Sequence, residues 1–367
     1  MKKILIVSTV SRQFYLFEKG NIDVLKSLDF EVHCAANFKD DNDRLQSFKI
    51  VKHHFDIQRS PFSLTNIKAY YQLKNIVKNN HFNAIHCHSP MGSVLARLVA
   101  KSSGVKKVIY TAHGFHFYKK APLLNRLIYY NIEKYLSKYT ETIVTINKED
   151  FEISRTLYAK NSILVPGIGI DLKRFDFTGF DRDAKRNELH IPKDAITILS
   201  VGELIKRKNY VTSLKAISKL SSKKFVFLIC GKGKMEKNLR RYAKYLGIES
   251  KVQFLGFRND IPEICYSSDI FLFPSFQEGL PVSVMEAMAA GLPIVASKIR
   301  GNTDLIKDGI GGFLHGSKDY ISFAKSIEKI ISDDKLRLSM SIQNIKEVAK
   351  YDKQIVNEIM RKLYTKI

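Results

Sequence analysis

Short apolar runs alternate with longer segments of helical period along most of the chain. Runs such as AIHCH (84–88) and FVFLICG (225–231) are almost continuously apolar, as expected of parallel strands that are covered on both faces. The alternation predicts two doubly wound α/β domains, each with helices on both faces of a parallel sheet. The predicted strands are 2–8, 30–36, 84–88, 107–113, 142–147, 162–166, 196–202, 225–231, 252–257, 270–275 and 293–297.

One charged stretch without periodicity, 175–195, interrupts this pattern before a new strand begins. We place the linker between the domains there. The sequence therefore predicts a first domain over 1–180, a second over 190–345, and a C-terminal helix over 346–367 that could cross back to the first domain. The length of 367 residues suits two domains of roughly 150–200 residues.

The chain is strongly basic, with a formal net charge of +24. Such a surface attracts nucleic acid, anionic lipid headgroups or phosphorylated small molecules, unless the lysines are simply spread over solvated faces. A nucleic-acid-binding protein is the remote alternative, because the sequence has no basic stripe with interleaved aromatic residues and no docking motif. The charge therefore favours a phosphorylated ligand or an anionic membrane surface.

The cysteines and the N-terminal segment indicate the compartment. The four cysteines lie in or beside apolar runs without C-x-x-C spacing, which predicts buried free thiols in a reducing compartment. The first residues are predicted to form a strand rather than a signal peptide, and no run reaches 18 apolar residues. We expect a cytoplasmic protein without a membrane-spanning helix.

The segment PSFQEGLPVSVMEAMAAGLPIVAS (274–297) carries the most chemical information. A strand ends before a loop with Glu278, a helix follows Pro281, and Gly291 ends that helix. Ligands of open α/β sheets bind beyond the carboxyl ends of the strands, where a helix N-terminus offers N–H groups to phosphate. Because a carboxylate accepts two hydroxyl hydrogen bonds, Glu278 and Glu286 are predicted to hold opposite ends of a nucleotide-sugar; the alternative is two ordinary surface carboxylates.

The run EGLPVSVME (278–286) resembles the E-x7-E signature of the retaining glycosyltransferases of family 4. The resemblance covers almost the whole chain and points to the branch that builds bacterial capsule, exopolysaccharide and lipid-linked glycans. It implies the GT-B fold, in which two Rossmann-like domains face a central cleft. It also implies retaining transfer of a hexose or N-acetylated hexose, with a UDP-linked donor expected. Further matching segments are 86–97, 110–137, 145–152, 166–175 and 200–209.

The resemblance implies roles for individual residues on the donor side. Glu278 would contact hydroxyls of the donor sugar, Glu286 would hold the ribose diol, and Lys208 would bind the donor phosphate. The loop near Arg258 would contact the base, mainly through its backbone. The backbone beside the sugar and diphosphate would be that of Gly279, Leu280, Pro281 and Val282.

The remaining implied site residues lie near the reacting centre. His113 falls where the family has a histidine near the anomeric carbon and the leaving phosphate; taken alone, it could equally be a core histidine at a strand end. Many relatives have an arginine where this chain has Glu203, and Arg207 is the candidate to supply that cationic contact. The loop 8–14 after the first strand lacks the glycines that many relatives carry there.

No cofactor and no metal ion are expected. The acidic pair Asp181 and Asp183 lies in the predicted linker, and no D-x-D sequence stands beside the site elements. The charge of the departing nucleoside diphosphate would instead be stabilised by Lys208, by Arg207 and by a helix N-terminus.

The acceptor side is predicted in the first domain. His86, His88 and His116 are placed there, with a structural role left open for the first two. Segment 122–140 is predicted as a helix with aromatic and basic residues, which suits either an anionic membrane surface or a core helix with a wet basic edge. The expected acceptor is a glycan or a polyprenyl-diphosphate-linked sugar. The alternatives are transfer to a soluble acceptor and nucleotide-sugar epimerisation on the same fold.

Overall fold

The chain passes from one α/β unit to a second and then returns. In the computed structural model, the first unit comprises residues 1–169 and 353–367, and the second comprises 170–352. Each unit contains one parallel sheet, which confirms the predicted fold class. The structure describes residues 1–39, 43–119, 121–221 and 224–367.

The sheet of the first unit has seven parallel strands in the order β3-β2-β1-β4-β5-β6-β7. Successive strands are added on one side of β1 as far as β3, and on the other side from β4 onwards, so the direction of strand addition reverses between the neighbours β1 and β4. Residues Ile4 to Val7 are fully buried, and this explains the continuous apolar run. The strands are β1 Lys2–Val10, β2 Phe30–Asn37, β3 Val51–His54, β4 Ala84–His88, β5 Lys107–Ala112, β6 Thr142–Thr145 and β7 Asn161–Leu164.

The sheet of the second unit has six parallel strands in the order β10-β9-β8-β11-β12-β13. Here the order reverses between β8 and β11. The strands are β8 Ile196–Val201, β9 Phe225–Cys230, β10 Val252–Gly256, β11 Ile270–Phe273, β12 Ile294–Ser297 and β13 Gly312–His315.

Helices connect the strands in both units. The first unit begins with α1 Arg12–Phe17, α2 Lys19–Ser27, α3 Thr65–Asn80, α4 Pro90–Ser103, α5 Leu123–Ser137 and α6 Lys148–Ser154. The second contains α7 Arg182–Glu188, α8 Tyr210–Ile217, α9 Glu236–Tyr245, α10 Ile261–Tyr266, α11 Val282–Ala289, α12 Asn302–Leu305, α13 Tyr320–Ser332 and α14 Asp334–Val348. The last helix, α15 Lys353–Tyr364, packs against α2 of the first unit.

Each of the eleven predicted strands overlaps a strand of the structure, but the sequence analysis missed β3 and β13. Both lie at a sheet edge, where one side of the strand has no partner strand. The sequence of β3, VKHH, is polar and mostly exposed, so it lacks an apolar signal. In β13, Gly312 is required because a Cβ would lie 1.9 Å from the Ile294 carbonyl oxygen.

The predicted linker at 175–195 is wrong, because these residues belong to the second unit. The stretch contains α7, and the guanidinium of Arg186 is buried there. It donates hydrogen bonds to the carbonyl oxygens of Pro192, Ala195 and Ser267. The charges therefore hold the stretch to its own unit, and the chain leaves the first unit at Gly169.

The other coarse predictions concern the cysteines and membrane-spanning helices. All four cysteines are free and buried, as predicted. Across the described residues, no helix combines the length and hydropathy needed to cross a membrane.

Candidate active site

In the second unit, Lys208 and Glu278 follow the two neighbouring strands at which the sheet order reverses. Lys208 lies in a 3-10 turn after β8, and Glu278 lies in the loop between β11 and α11. In open α/β sheets, this switch point is where ligands bind, beyond the carboxyl ends of the strands. The topology thus brings together two residues that are far apart in sequence.

Glu278 is a buried carboxylate that faces two cations. Its Oε1 lies 2.8 Å from Nζ of Lys208 and 2.8 Å from Nη1 of Arg207, and it accepts a 2.6 Å hydrogen bond from Ser275. Burial alone would raise the pKa of Glu278, but the two cations hold it below its ordinary value. Glu278 is therefore ionised at neutral pH, and the cluster keeps one net positive charge.

The closest contacts of the Glu278 carboxylate concentrate on one oxygen. Within the described residues, the hydrogen bond from Ser275 and the shortest contacts of Lys208 and Arg207 are all made to Oε1. Oε2 is therefore available to accept a hydrogen bond from a ligand hydroxyl.

Neighbouring residues fix the loop that carries Glu278. Asn209 adopts a left-handed backbone, and its amide donates to the carbonyl oxygens of Pro274 and Ser317. Arg300 donates to the carbonyl oxygen of Glu278 itself at 3.2 Å. Gly301 packs so closely that a Cβ would lie 2.3 Å from the Gly279 carbonyl oxygen. These contacts hold the backbone that was predicted to lie beside a sugar and a diphosphate.

Helix α11 begins directly after this loop and carries Glu286 in its second turn. The first turn has no side-chain cap; Val284 donates to the carbonyl oxygen of Pro281, and the N–H groups of Val282 and Ser283 remain available to an anion. Burial raises the pKa of Glu286 to about 7, and Arg174 offsets only part of that effect. In the part of the chain that the structure describes, no group donates a hydrogen bond to this carboxyl.

The structure also locates the other predicted donor-side residues. Arg207 donates to the carbonyl oxygen of Gln277 at 2.6 Å in addition to pairing with Glu278. The side chain of Arg258 is instead occupied by Asp260 and Glu188, at 2.5 and 2.7 Å. Arg258 therefore has a structural side chain, and only its backbone is compatible with the predicted contact to a base.

A second polar cluster lies at the switch point of the first sheet. Glu18 lies between α1 and α2, which follow β1; His88 ends β4, and His113 follows β5. Oε1 of Glu18 lies 3.1 Å from Nδ1 of His88 and 3.9 Å from Nε2 of His113. Gln13 of α1 contacts both Glu18 and His113. We call these four residues the Glu18 cluster.

Burial controls the protonation of both histidines in the Glu18 cluster. Burial lowers the pKa of His113, although Glu18 acts in the opposite direction. The pKa of His88 also lies well below its ordinary value, because His88 is fully buried and faces His113. Both imidazoles are therefore neutral at pH 7.

His86 and His116, the other two histidines predicted on the acceptor side, have different surroundings in the first unit. His86 is fully buried, with Nδ1 2.8 Å from the Tyr364 hydroxyl and Nε2 2.7 Å from the Thr111 hydroxyl. Both nitrogens are used inside the unit, so the structural role fits His86 and the acceptor-side placement does not. His116 packs against Tyr129, with the two rings tilted by 39°, and lines a cavity of about 580 Å³.

Sequence reasoning missed Glu18, Gln13, Ser275 and Arg300. The loop after β1 was considered only for its lack of glycine, although side chains near the carboxyl end of a switch-point strand are candidates in their own right. That rule would have drawn attention to Gln13 and Glu18. Ser275 and Arg300 act through loop contacts for which the sequence gives no signal.

Known proteins are similar over the whole chain. A family model described as "Glycosyl transferases group 1" matches residues 181–347, and one described as "Glycosyl transferase 4-like" matches residues 3–147. "Putative glycosyltransferase EpsD" of Bacillus subtilis is 34% identical over 373 aligned residues, with 99% of this chain and 96% of that protein covered.

A functionally more specific relative and a solved structure agree with this. The "UDP-Gal:alpha-D-GlcNAc-diphosphoundecaprenol alpha-1,3-galactosyltransferase" of Escherichia coli is 31% identical over 76% of this chain and 73% of its own length. The structure of Anabaena HepE in complex with UDP and glucose superposes over all of both chains with a TM-score of 0.82, at 19% identity. The chain belongs to glycosyltransferase family 4 and is a glycosyltransferase with the GT-B fold.

Proposed function

We propose that the enzyme transfers a hexose or N-acetylated hexose from a UDP-linked donor to a sugar on a polyprenyl-diphosphate carrier, with retention and without a metal ion. The name of the E. coli relative contains both UDP-galactose and a diphosphoundecaprenol-linked acceptor, which supports both substrate classes. Retention follows from the family resemblance. The observation that carries the proposal is the buried Glu278 carboxylate with its two cations at the switch point of the second sheet.

The charges at this site suit a nucleotide-sugar. Lys208 and Arg207 together bring two positive charges, and Glu278 cancels one of them. The remaining positive charge and the uncapped N-terminus of α11 attract a diphosphate. Oε2 of Glu278 accepts from a sugar hydroxyl, and Glu286 accepts from the ribose diol.

The same groups assist departure of the leaving group. When the anomeric C–O bond breaks, the electron pair stays on the departing UDP, whose diphosphate gains negative charge. Cations in a site of low dielectric constant stabilise that charge more than water does. Lys208 and Arg207 are already in place before the reaction, held by Glu278, so little reorganisation is needed.

The acceptor binds in the first unit, in the cavity of about 580 Å³ that His116 lines. Its walls combine apolar side chains such as Met91, Val94 and Ile132 with polar ones such as Gln13 and Arg59. A lipid-linked sugar presents both kinds of surface. This mixture supports an acceptor that carries an apolar chain close to its sugar.

Helix α5 presents an apolar face to solvent, which supports attachment to a membrane surface. Leu123, Leu124 and Leu127 are 75%, 69% and 64% exposed, and Ile128 is 48% exposed. We call these four residues the α5 face. Arg126 lies within the same turns, so apolar and basic groups occur together, as in helices that lie at anionic lipid interfaces. The core-helix alternative for 122–140 therefore fits only its second half, where Leu136 is buried.

The donor proposal is tested by a thermal-shift screen of UDP-, GDP-, ADP- and dTDP-sugars, because a ligand that binds only the folded protein raises its stability. We expect UDP-sugars to give the largest shift. Lys208→Met should lose most of that shift, whereas Lys206→Met, two residues away and exposed, should keep it. Equal shifts for both variants, or no shift with any nucleotide-sugar, would contradict the proposed donor site.

The membrane proposal is tested by flotation with vesicles of anionic or zwitterionic lipid. The triple change Leu123→Ser, Leu124→Ser, Leu127→Ser should reduce binding to anionic vesicles. Tyr245→Ser is the matched control, since Tyr245 is 82% exposed on the second unit. If the triple variant binds vesicles as wild type does, the α5 face has no role in attachment. Transfer to a soluble, lipid-free acceptor at the same rate would favour the soluble-acceptor alternative.

A further inference from the structure

Glu18 is a buried carboxylate surrounded by hydrogen-bond donors. Its side chain is 1% exposed, and its oxygens accept from Gln13 at 3.1 Å and from Asn21 at 2.7 Å. The Nδ1 atom of His88 lies 3.1 Å from the same oxygen that Gln13 contacts. Glu18 is therefore an acceptor for Gln13 and Asn21, and its charge lies beside His88.

Gln13 transmits this constraint to His113. Its amide nitrogen has two hydrogens and two neighbours, Oε1 of Glu18 at 3.1 Å and Nε2 of His113 at 3.2 Å. The opposite orientation of the amide would place its carbonyl oxygen against the Glu18 carboxylate, which is repulsive. The amide therefore donates one hydrogen to each neighbour, and Nε2 of His113 must be the acceptor.

His88 is consistent with this assignment. Its Nδ1 makes a hydrogen bond with Nε2 of His113 at 3.2 Å, whereas its 3.1 Å approach to Glu18 is a contact with the carboxylate charge. Because Nε2 of His113 accepts from Gln13 and carries no hydrogen, the hydrogen of this bond lies on Nδ1 of His88. A neutral imidazole then has its proton on Nδ1, on the opposite side of the ring from the Glu18 cluster.

We propose that Glu18 and Gln13 are positioning residues that hold His113 as the neutral Nδ1–H tautomer and aim that N–H at the substrate. The Nδ1 atom makes no hydrogen bond within the described residues, and the His113 side chain is 30% exposed. It is therefore a free donor, available to a sugar hydroxyl or a phosphate oxygen.

This inference rests on the proposed role of His113 at the reacting centre, but its first test does not require activity. The full chain is prepared with 15N-labelled histidine, and the nitrogen shifts of His113, identified by its loss in His113→Asn, report which nitrogen is protonated. We expect protonated Nδ1 and unprotonated Nε2 in the wild type. Gln13→Leu should populate the other tautomer as well, because Nε2 loses one of its two neighbouring donors and the contact with His88 can reverse its direction. The same tautomer in both proteins would overturn the proposal.

The kinetic test separates positioning from stability. Gln13→Leu should lower kcat about tenfold with a smaller effect on KM, since one oriented hydrogen bond is lost. The matched control is Glu31→Gln, which removes the charge of another Glu–His pair in the same unit, where Glu31 lies 2.8 Å from His33. The control should retain wild-type kcat. A fall in kcat in folded Gln13→Leu without a change in the tautomer of His113 would count against the proposal.

The charge of Glu18 gives a third, pH-dependent readout. The titratable groups that face His113 are Glu18 and His88, and the Glu18 charge raises the pKa of His113 against the effect of burial. Glu18→Gln should therefore lower that pKa further. Activity that requires neutral His113 is lost as pH falls through this pKa, so the acidic limb of kcat/KM should move to lower pH. A limb that stays in place would refute the coupling.

A bound metal ion is the competing explanation for the same geometry. Ligand atoms of Glu18, His88 and His113 lie within 4.8 Å of one another, and two imidazoles with a carboxylate can bind zinc. A metal would occupy Nε2 of His113 and displace the Gln13 amide. Metal analysis of the purified chain, before and after addition of Zn²⁺, should find no stoichiometric ion. Tight binding of one ion, lost in Glu18→Gln, would overturn the tautomer proposal, whereas failure of the nucleotide-sugar screen alone would overturn only the proposed function.

Discussion

Glu286 makes the stability of the second unit depend on pH. Burial raises the pKa of its carboxyl from the ordinary 4.5 to about 7. The folded chain thus binds this proton more tightly than the unfolded chain. The resulting stabilisation is fully present below pH 4.5 and is lost as pH rises through 7. A shift from 4.5 to about 7 corresponds to about 3 kcal/mol, at about 1.4 kcal/mol per unit.

Glu286→Gln isolates this effect, because glutamine has the shape of the protonated acid but cannot ionise. We expect the variant and the wild type to have similar stability near pH 4.5. At pH 8 the variant should be more stable, by up to about 3 kcal/mol. Urea unfolding followed by circular dichroism between pH 4.5 and 9 measures the difference. The control is Glu249→Gln, a change at an exposed carboxylate of the same unit.

The pH dependence decides the outcome. A stability difference that is constant with pH would refute the raised pKa, whatever its size. Binding provides a second check, since a ribose diol bound as proposed would donate to the ionised carboxylate and lower its pKa. Calorimetry in buffers of different ionisation enthalpy should therefore detect release of up to one proton when UDP binds near pH 6.5, and none in the variant.

Three further predictions concern paired charges. Glu278→Gln leaves Lys208 and Arg207 without their carboxylate, so the variant should bind UDP at least as tightly as wild type in calorimetry, while sugar transfer falls about 10²-fold or more. Lys208→Met should weaken UDP binding about 10- to 100-fold by loss of one charge-assisted contact, and unchanged affinity would exclude a phosphate contact. Arg97→Met leaves the buried Glu133 unpaired and should cost about 3–5 kcal/mol in urea unfolding; the double variant with Glu133→Leu should recover part of it.

The two parallel sheets could be predicted from the sequence because their inner strands are covered on both faces. Burial on both faces requires apolar residues at successive positions, and that requirement appears directly as runs such as 225–230. An edge strand has no such requirement, so the polar residues of β3 did not indicate a strand. The stretch 175–195 was assigned to a linker because its charged residues were interpreted as exposed to solvent. Arg186 is instead buried and hydrogen-bonded to backbone carbonyls.

The cluster around Glu278 was predicted in part for a similar reason. Glu278 and Glu286 lie in one continuous motif, so local pattern and family resemblance both point to them. Lys208 came from the resemblance alone. The Glu18 cluster joins residues from three separate connections of the first sheet, and only the strand order places Glu18 beside His113. The sequence contains the residues but does not state that order.

The return of α15 to the first unit has a consequence for how the protein is made. Val356, Met360 and Tyr364 are buried there, and Tyr364 supplies one of the two hydrogen-bond partners of His86. During synthesis, residues 170–352 leave the ribosome before these residues do. The first unit must therefore wait, with one side of its core uncovered, until α15 has emerged. A chain that lacks α15 would display that uncovered surface to chaperones.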